Sequence, residues 1–177
     1  MSLIVEPQTI VIVSGFFDPI GVQHIILFEE AKKLGDYLIV GVNSDKCGMM
    51  KKGQPTFQSF MERKLICNSL KMVDEVVGFQ DDDGSASQLI QDMYNKYKQS
   101  IELGLTKIIF ANGGDRAPGQ DACPEVKYVD KHMPDKIEFV YGVGGYHKSG
   151  SSSDNLRNWV NNTMTRYYVD FKLEKKY

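Results

Sequence analysis

The sequence predicts a doubly wound α/β domain, and three observations carry that expectation. Four apolar, β-branched runs stand out at Thr9 to Val13, Tyr37 to Val42, Lys107 to Ala111 and Lys136 to Val140. Stretches with helical spacing separate them, and the 177-residue chain is long enough for one such domain and its core. Short apolar runs bounded by polar residues read as buried strands, and strands alternating with helices imply right-handed crossovers and a mostly parallel sheet covered on both faces.

Taken in order, the first strand leads through a glycine-containing turn into a helix over Val22 to Leu34, closed by Gly35. The second strand is followed by a loop carrying Lys51 and Lys52, then by a helix over Phe57 to Leu70. Glu75 to Phe79 supplies a fifth, shorter strand, and a helix follows from Ser85 to about Leu103. Two starts carry a capping-box pattern, Ser59-Phe-Met-Glu62 and Ser85-Ala-Ser-Gln88, in which hydroxyl and carboxylate or amide satisfy orphan amides. A short helix is expected near Glu125 to His132, and another after Ser151, where Leu156, Trp159 and Val160 repeat at helical spacing. The tail from Arg166 to Leu173 alternates like a strand, which suggests a division into a domain over 1–165 and a tail over 166–177 that serves as an edge strand or dimer element.

Composition narrows the classes of function. Lysine plus arginine number 21 against 23 acidic residues, a formal net charge of -2. Such a balance gives no footing for nucleic acid, so any anion site must be local. Three cysteines, Cys47, Cys67 and Cys123, form no Cys-x-x-Cys pair and suit a reducing compartment. No segment approaches the roughly eighteen apolar residues of a membrane span. The expectation is a cytoplasmic protein with no membrane attachment and no dedicated protein-held metal.

A parallel sheet of this type binds ligands beyond the carboxyl ends of its strands, where strand order reverses. Ser14-Gly-Phe-Phe-Asp-Pro-Ile-Gly-Val-Gln-His24 follows the first strand and gathers backbone amides, a helix amino terminus and an imidazole. Helix amino termini favour phosphate through free amides and dipole. From spacing alone, an ordinary turn with Asp18 as a helix cap and His24 on the surface explains the segment equally well.

Resemblance separates the two readings. Gly15, Phe17, Asp18 and His24 match the Gly-x-Phe-Asp-x-x-His-x-Gly-His signature of cytidylyltransferase-like nucleotidyltransferases, with Gly21 at the first histidine and Gln23 at the glycine. Further segments fall in that superfamily's order: Gly41-Val-Asn-Ser-Asp45, Lys51-Lys-Gly53, Glu62-Arg63, Val73-Asp74, Gly113-Gly-Asp-Arg116 and Ser151-Ser-Ser-Asp-Asn-Leu-Arg157. The set is most similar to the adenylyltransferase domain of bacterial ADP-heptose synthesis enzymes, and it implies a Rossmann-like fold.

The resemblance also implies a reaction. A nucleoside monophosphate passes from an NTP, either ATP or CTP, to a sugar- or polyol-phosphate, with Mg2+ arriving on the nucleotide and pyrophosphate leaving. It implies His24, Lys52 and Arg157 as catalytic groups. Gly15, Phe16, Phe17, Asp18, Gly113, Gly114, Asp115, Ser151, Ser152 and Ser153 are the implied nucleotide contacts, and a homodimer is the implied assembly. His147 or Lys148, beside the serines, is a candidate substitute for the missing imidazole.

Two alternatives stay open at the level of sequence. Gly21 suits a nucleotide-binding homologue with impaired catalysis. A dinucleotide-dependent oxidoreductase would share the fold, but the first turn lacks Gly-x-Gly-x-x-Gly.

Overall fold

The computed structural model describes residues 9–114, 123–145 and 152–174. Five strands, β1 (Thr9–Gly15), β2 (Tyr37–Val42), β3 (Glu75–Gly78), β4 (Lys107–Gly113) and β5 (Ile137–Val143), form one sheet in the order β3-β2-β1-β4-β5. Every pairing is parallel. Helices α1 (Val22–Lys32), α2 (Asp45–Lys52), α3 (Phe60–Asn68), α4 (Ser87–Glu102), α5 (Pro124–His132) and α6 (Ser152–Glu174) complete the described chain. This is a Rossmann-like α/β fold.

The period-two geometry of strands divides the apolar runs between two cores. Val11, Val13, Leu38, Val40, Ile109 and Ala111 pack on one face with Phe28, Ala31 and Cys67 from α1 and α3. Ile10, Ile12, Ile39, Ile108 and Phe110 pack on the other with Leu89, Ile90 and Val129 from α4 and α5. Because both faces are covered, the central strands read as unbroken apolar runs. From β1 the chain moves outward to β2 and β3, then crosses back to β4 on the other side of β1. The carboxyl ends of β1 and β4 therefore flank the point where strand order reverses, and the site is expected there.

Three local expectations change. Lys51 and Lys52, read as loop residues, form the last turn of α2, which Ser44 caps by accepting the Cys47 amide and Gly53 ends in the left-handed region at φ 67°. Only Cys47 and Gly48 of that helix are buried, so its sequence carries almost no apolar period. The pattern at Ser85 does not form a capping box: Ala86 occupies the N-cap and the Ser85 hydroxyl turns to Asp83. The Ala86 amide is served from a distance, by Glu125 Oε1 of α5 at 2.8 Å. Finally, Arg166 to Leu173 is helical and continues α6 instead of forming a strand. Alternation over eight residues did not outweigh continuation of a helix already begun at Ser152. By contrast, the capping box of Ser59 and Glu62 forms as its sequence predicts.

Candidate functional site

The loop between β1 and α1 is shaped by Phe17, whose φ of 51° places a non-glycine residue in the left-handed region. Such a conformation costs about 1–3 kcal/mol and persists only where surrounding contacts enforce it. They do so here: the Phe17 side chain is 3% exposed and meets the rings of Phe28 and His24 edge-on, at centroid separations of 5.0 and 5.2 Å. Gly15 is required by the same packing, since a Cβ there would lie 2.8 Å from the Phe17 ring. Phe17, expected among the nucleotide contacts, thus has its side chain in the core and seats His24 from below.

His24 lies in the first turn of α1, and its Nδ1 accepts the Gly21 backbone N–H at 3.1 Å. Accepting at Nδ1 assigns the proton of the neutral ring to Nε2. Gly21 itself is extended, at φ -139° and ψ 175°, and a Cβ added there meets nothing within 4 Å. Neither conformation nor space therefore demands glycine at the position of the missing histidine.

Asp18 is buried and receives two amides, Phe57 N–H on Oδ2 at 2.9 Å and Gln58 N–H on Oδ1 at 2.8 Å. It ties the loop to the segment before α3 and does not cap α1. Lys52 reaches the same place from α2: its Nζ lies 4.0 Å from Asp18 Oδ2 and 4.8 Å from the centre of the Phe16 ring, with its side chain 24% exposed. A lysine held over an aromatic face beside a carboxylate keeps its charge at a defined point, and one partly open to solvent stays available to an incoming anion.

From the other wall, Ser152 in the first turn of α6 donates its hydroxyl to the Pro19 carbonyl at 2.7 Å. This contact joins residues 133 positions apart and sets the α6 amino terminus against the loop between β1 and α1. Across the switch point, Gly113 packs against Leu27 of α1, where a Cβ would come within 3.0 Å, and Gly114 turns the chain at φ 70° into open space. The two glycines thus have different causes, close packing at the first and a left-handed turn at the second.

His24, Lys52, Asp18, Phe16 and Ser152 come together around the loop after β1. Arg157 does not join them: its side chain is 71% exposed and pairs with Asp154 of its own helix at 3.4 Å. Asp115, Ser151, His147 and Lys148 lie outside the described residues, as does the side chain of Ser153. His132 stacks on Tyr128 with centroids 4.5 Å apart, away from this loop in the sequence and on a different helix.

One residue of the site was not singled out as a site residue from the sequence. Arg63 is completely buried and donates to the Phe16 carbonyl and to Asp45. Its place after Glu62 in an ordered motif was the only signal. Burial also tends to raise the Asp45 carboxyl, yet the Phe60 amide, the Arg63 guanidinium and the Thr56 hydroxyl hold it below the ordinary carboxylate range. Among the described residues, no group of three or more His, Cys, Asp or Glu gathers to hold a metal ion, and no helix is long and apolar enough to cross a membrane.

Comparison with known proteins agrees with this fold. The profile of the family described as cytidylyltransferase-like matches residues 12–146, from within β1 to beyond β5. The bifunctional protein HldE of Erwinia tasmaniensis is 33% identical over 114 residues, 61% of this chain and 24% of that protein. The bifunctional protein HldE of Shigella flexneri serotype 5b is 31% identical over 137 residues, covering 73% and 28% respectively. The chain thus spans about a quarter of the length of these relatives. Among solved structures, the lipopolysaccharide core biosynthesis protein from Thermoplasma volcanium GSS1 superposes with a TM-score of 0.55 at 21% identity, over 80% of this chain and 99% of that one. That likeness is one of fold.

Proposed function

The chain belongs to the cytidylyltransferase-like family, and on that premise we propose that it transfers AMP or CMP from an NTP to a sugar- or polyol-phosphate. The observation that carries this reading is the meeting of His24, Lys52 and the α6 amino terminus at one loop beyond β1, where the strand order reverses.

A phosphate oxygen of the acceptor attacks the α-phosphorus. A new P–O bond forms there as the bond to the bridging oxygen breaks, and pyrophosphate leaves with that electron pair. No protein nucleophile is needed, so the protein's share is positioning and charge stabilisation. The Nε2–H of His24 donates to an oxygen whose charge grows. Lys52 supplies a point charge to the departing phosphates. The amides at the start of α1, with the dipole of that helix, favour anions at the same place.

Magnesium would arrive on the triphosphate. Both oxygens of Asp18, the carboxylate beside Lys52, already accept main-chain amides, so the ion's ligands there would be phosphate oxygens and water. The metal would screen phosphate charge. A homodimer is part of the proposal, supported by Trp159 and Met164, which α6 leaves exposed.

The test is pyrophosphate release with each NTP, magnesium and a panel of sugar and polyol phosphates. Release with one nucleotide and one acceptor class supports transfer, and none across the panel removes it. Gly21 favours a second reading, nucleotide binding with impaired turnover, which saturable binding without pyrophosphate release would support.

A further inference from the structure

Resting on that reading, we propose that Arg63 and Asp45 are positioning residues of the phosphate site, an ion pair between a buried guanidinium and a half-exposed carboxylate that fixes the Phe16–Asp18 loop relative to Lys52. Arg63 has no exposed surface, and a guanidinium withdrawn from water costs several kcal/mol unless its donors are partnered. Three of them are: Nη2 donates to Asp45 Oδ1 at 2.6 Å, Nη1 to the Phe16 carbonyl at 2.7 Å and Nε to the Gln58 carbonyl at 3.1 Å. An apolar side chain of similar volume fills such a space at no electrostatic cost. What it lacks is a grip on two main-chain carbonyls and one carboxylate at once.

The three acceptors lie on the three segments that make the site. Phe16 provides the ring beneath Lys52 and precedes the left-handed Phe17. Gln58 donates its amide to Asp18 while its carbonyl accepts from Arg63, so one residue is held from both sides. Asp45 opens α2, the eight-residue helix that Lys52 ends. Asp45 also accepts the Phe60 amide and the Thr56 hydroxyl, which fastens the start of α2 to the amino end of α3. The planar fork of arginine matches this set, whereas a lysine ammonium, a single point of charge, does not span it. Displacing the fork moves Lys52 and the Phe16 carbonyl relative to each other, although Arg63 itself need touch no substrate.

Two measurements test this on the full chain, using Arg63→Lys and the milder Asp45→Asn, whose side chain is half exposed and which keeps an acceptor oxygen. Amide hydrogen exchange is the first. The amides of Phe57 and Gln58, donors to Asp18, should exchange about tenfold faster in Arg63→Lys, while those of Ile10 to Val13 and Leu38 to Val40 stay within about twofold of the wild type. A uniform acceleration would show a general loss of stability and overturn the proposal. The second is a double-mutant cycle on kcat/KM with Lys52→Ala. Arg63→Lys should cost at least about tenfold alone and under about threefold once Lys52 is gone, because the two act as one unit. Losses that simply multiply overturn it. If Arg63→Lys does not fold, Asp45→Asn carries both measurements with smaller changes of the same pattern. Absence of turnover in the wild-type protein would count against nucleotidyl transfer, and the exchange pattern would then decide the positioning role on its own.

Discussion

Nδ1 of His24 accepts the backbone N–H of Gly21 at 3.1 Å, so the imidazole serves the amino end of α1. One nitrogen orients the ring and the other carries the proton that the proposed reaction would use. With Phe17 packed edge-on beneath it, the ring has a defined direction before any ligand arrives, which is the condition for electrostatic stabilisation without reorganisation.

Replacement of His24 by alanine should lower kcat by about a hundredfold or more, the scale on which positioned donors act. The cost in stability should stay near 1 kcal/mol, for one lost hydrogen bond at a helix end. Steady-state kinetics beside denaturant unfolding separate the two effects. An unchanged kcat removes His24 from the mechanism.

Gly21→His should raise turnover. The backbone at Gly21 is extended and a Cβ there meets nothing within 4 Å, so the position accepts a side chain without backbone strain. A second imidazole in the same turn adds a donor near the phosphates, and a gain of about tenfold is expected from one additional group. A correctly folded variant with no gain would show that the missing histidine does not limit this protein.

Asp18→Asn should destabilise the fold by about 1–3 kcal/mol, because the new amide group turns a donor toward a main-chain N–H that now has an acceptor. Both carboxylate oxygens are engaged, by Phe57 and Gln58, so either orientation of the asparagine leaves one amide opposed. Chemical denaturation reads this directly, and a midpoint equal to that of the wild type would contradict it.

The pH dependence of stability should carry the mark of Asp81. Burial works against ionisation of this carboxyl, but the Ser44 hydroxyl, the Asn43 side chain and the Ser44 amide outweigh it and hold the group below its ordinary range. A carboxyl lowered in the folded state contributes stability that is present above its unfolded value, about 3.9, and is lost as pH falls through the lower folded value. Unfolding free energy measured from pH 6 downward should therefore drop below about pH 4, and Asp81→Asn should make that fall shallower. Parallel curves for the two proteins would rule the contribution out.

Much of the fold and part of the site were legible in the chain itself. The three inner strands announced themselves because both of their faces are buried, which leaves unbroken apolar runs at Thr9 to Val13, Tyr37 to Val42 and Lys107 to Ala111. The turn at Ser14 to His24 was legible through its resemblance to a family signature, since its spacing alone fitted an ordinary turn equally well. Helix α2 was not visible, since its polar surface faces outward along most of its length and only Cys47 and Gly48 are buried. Nor was the helical state of Arg166 to Leu173, where a period of two in side-chain type coexists with helix.

The sequence by itself determined the strands, the place of the candidate loop after β1 and the family, because those rest on local pattern and on motifs read in order. Tertiary structure alone decided what Phe17, Asp18 and Arg63 hold. Phe17 became a support beneath His24, Asp18 an acceptor for amides 39 and 40 residues away, and Arg63 a buried fork between two carbonyls and a carboxylate. The physical reason is that hydrogen-bond satisfaction in a desolvated interior is a condition on partners brought from distant segments. Spacing along the chain shows which groups need partners, and only packing supplies them.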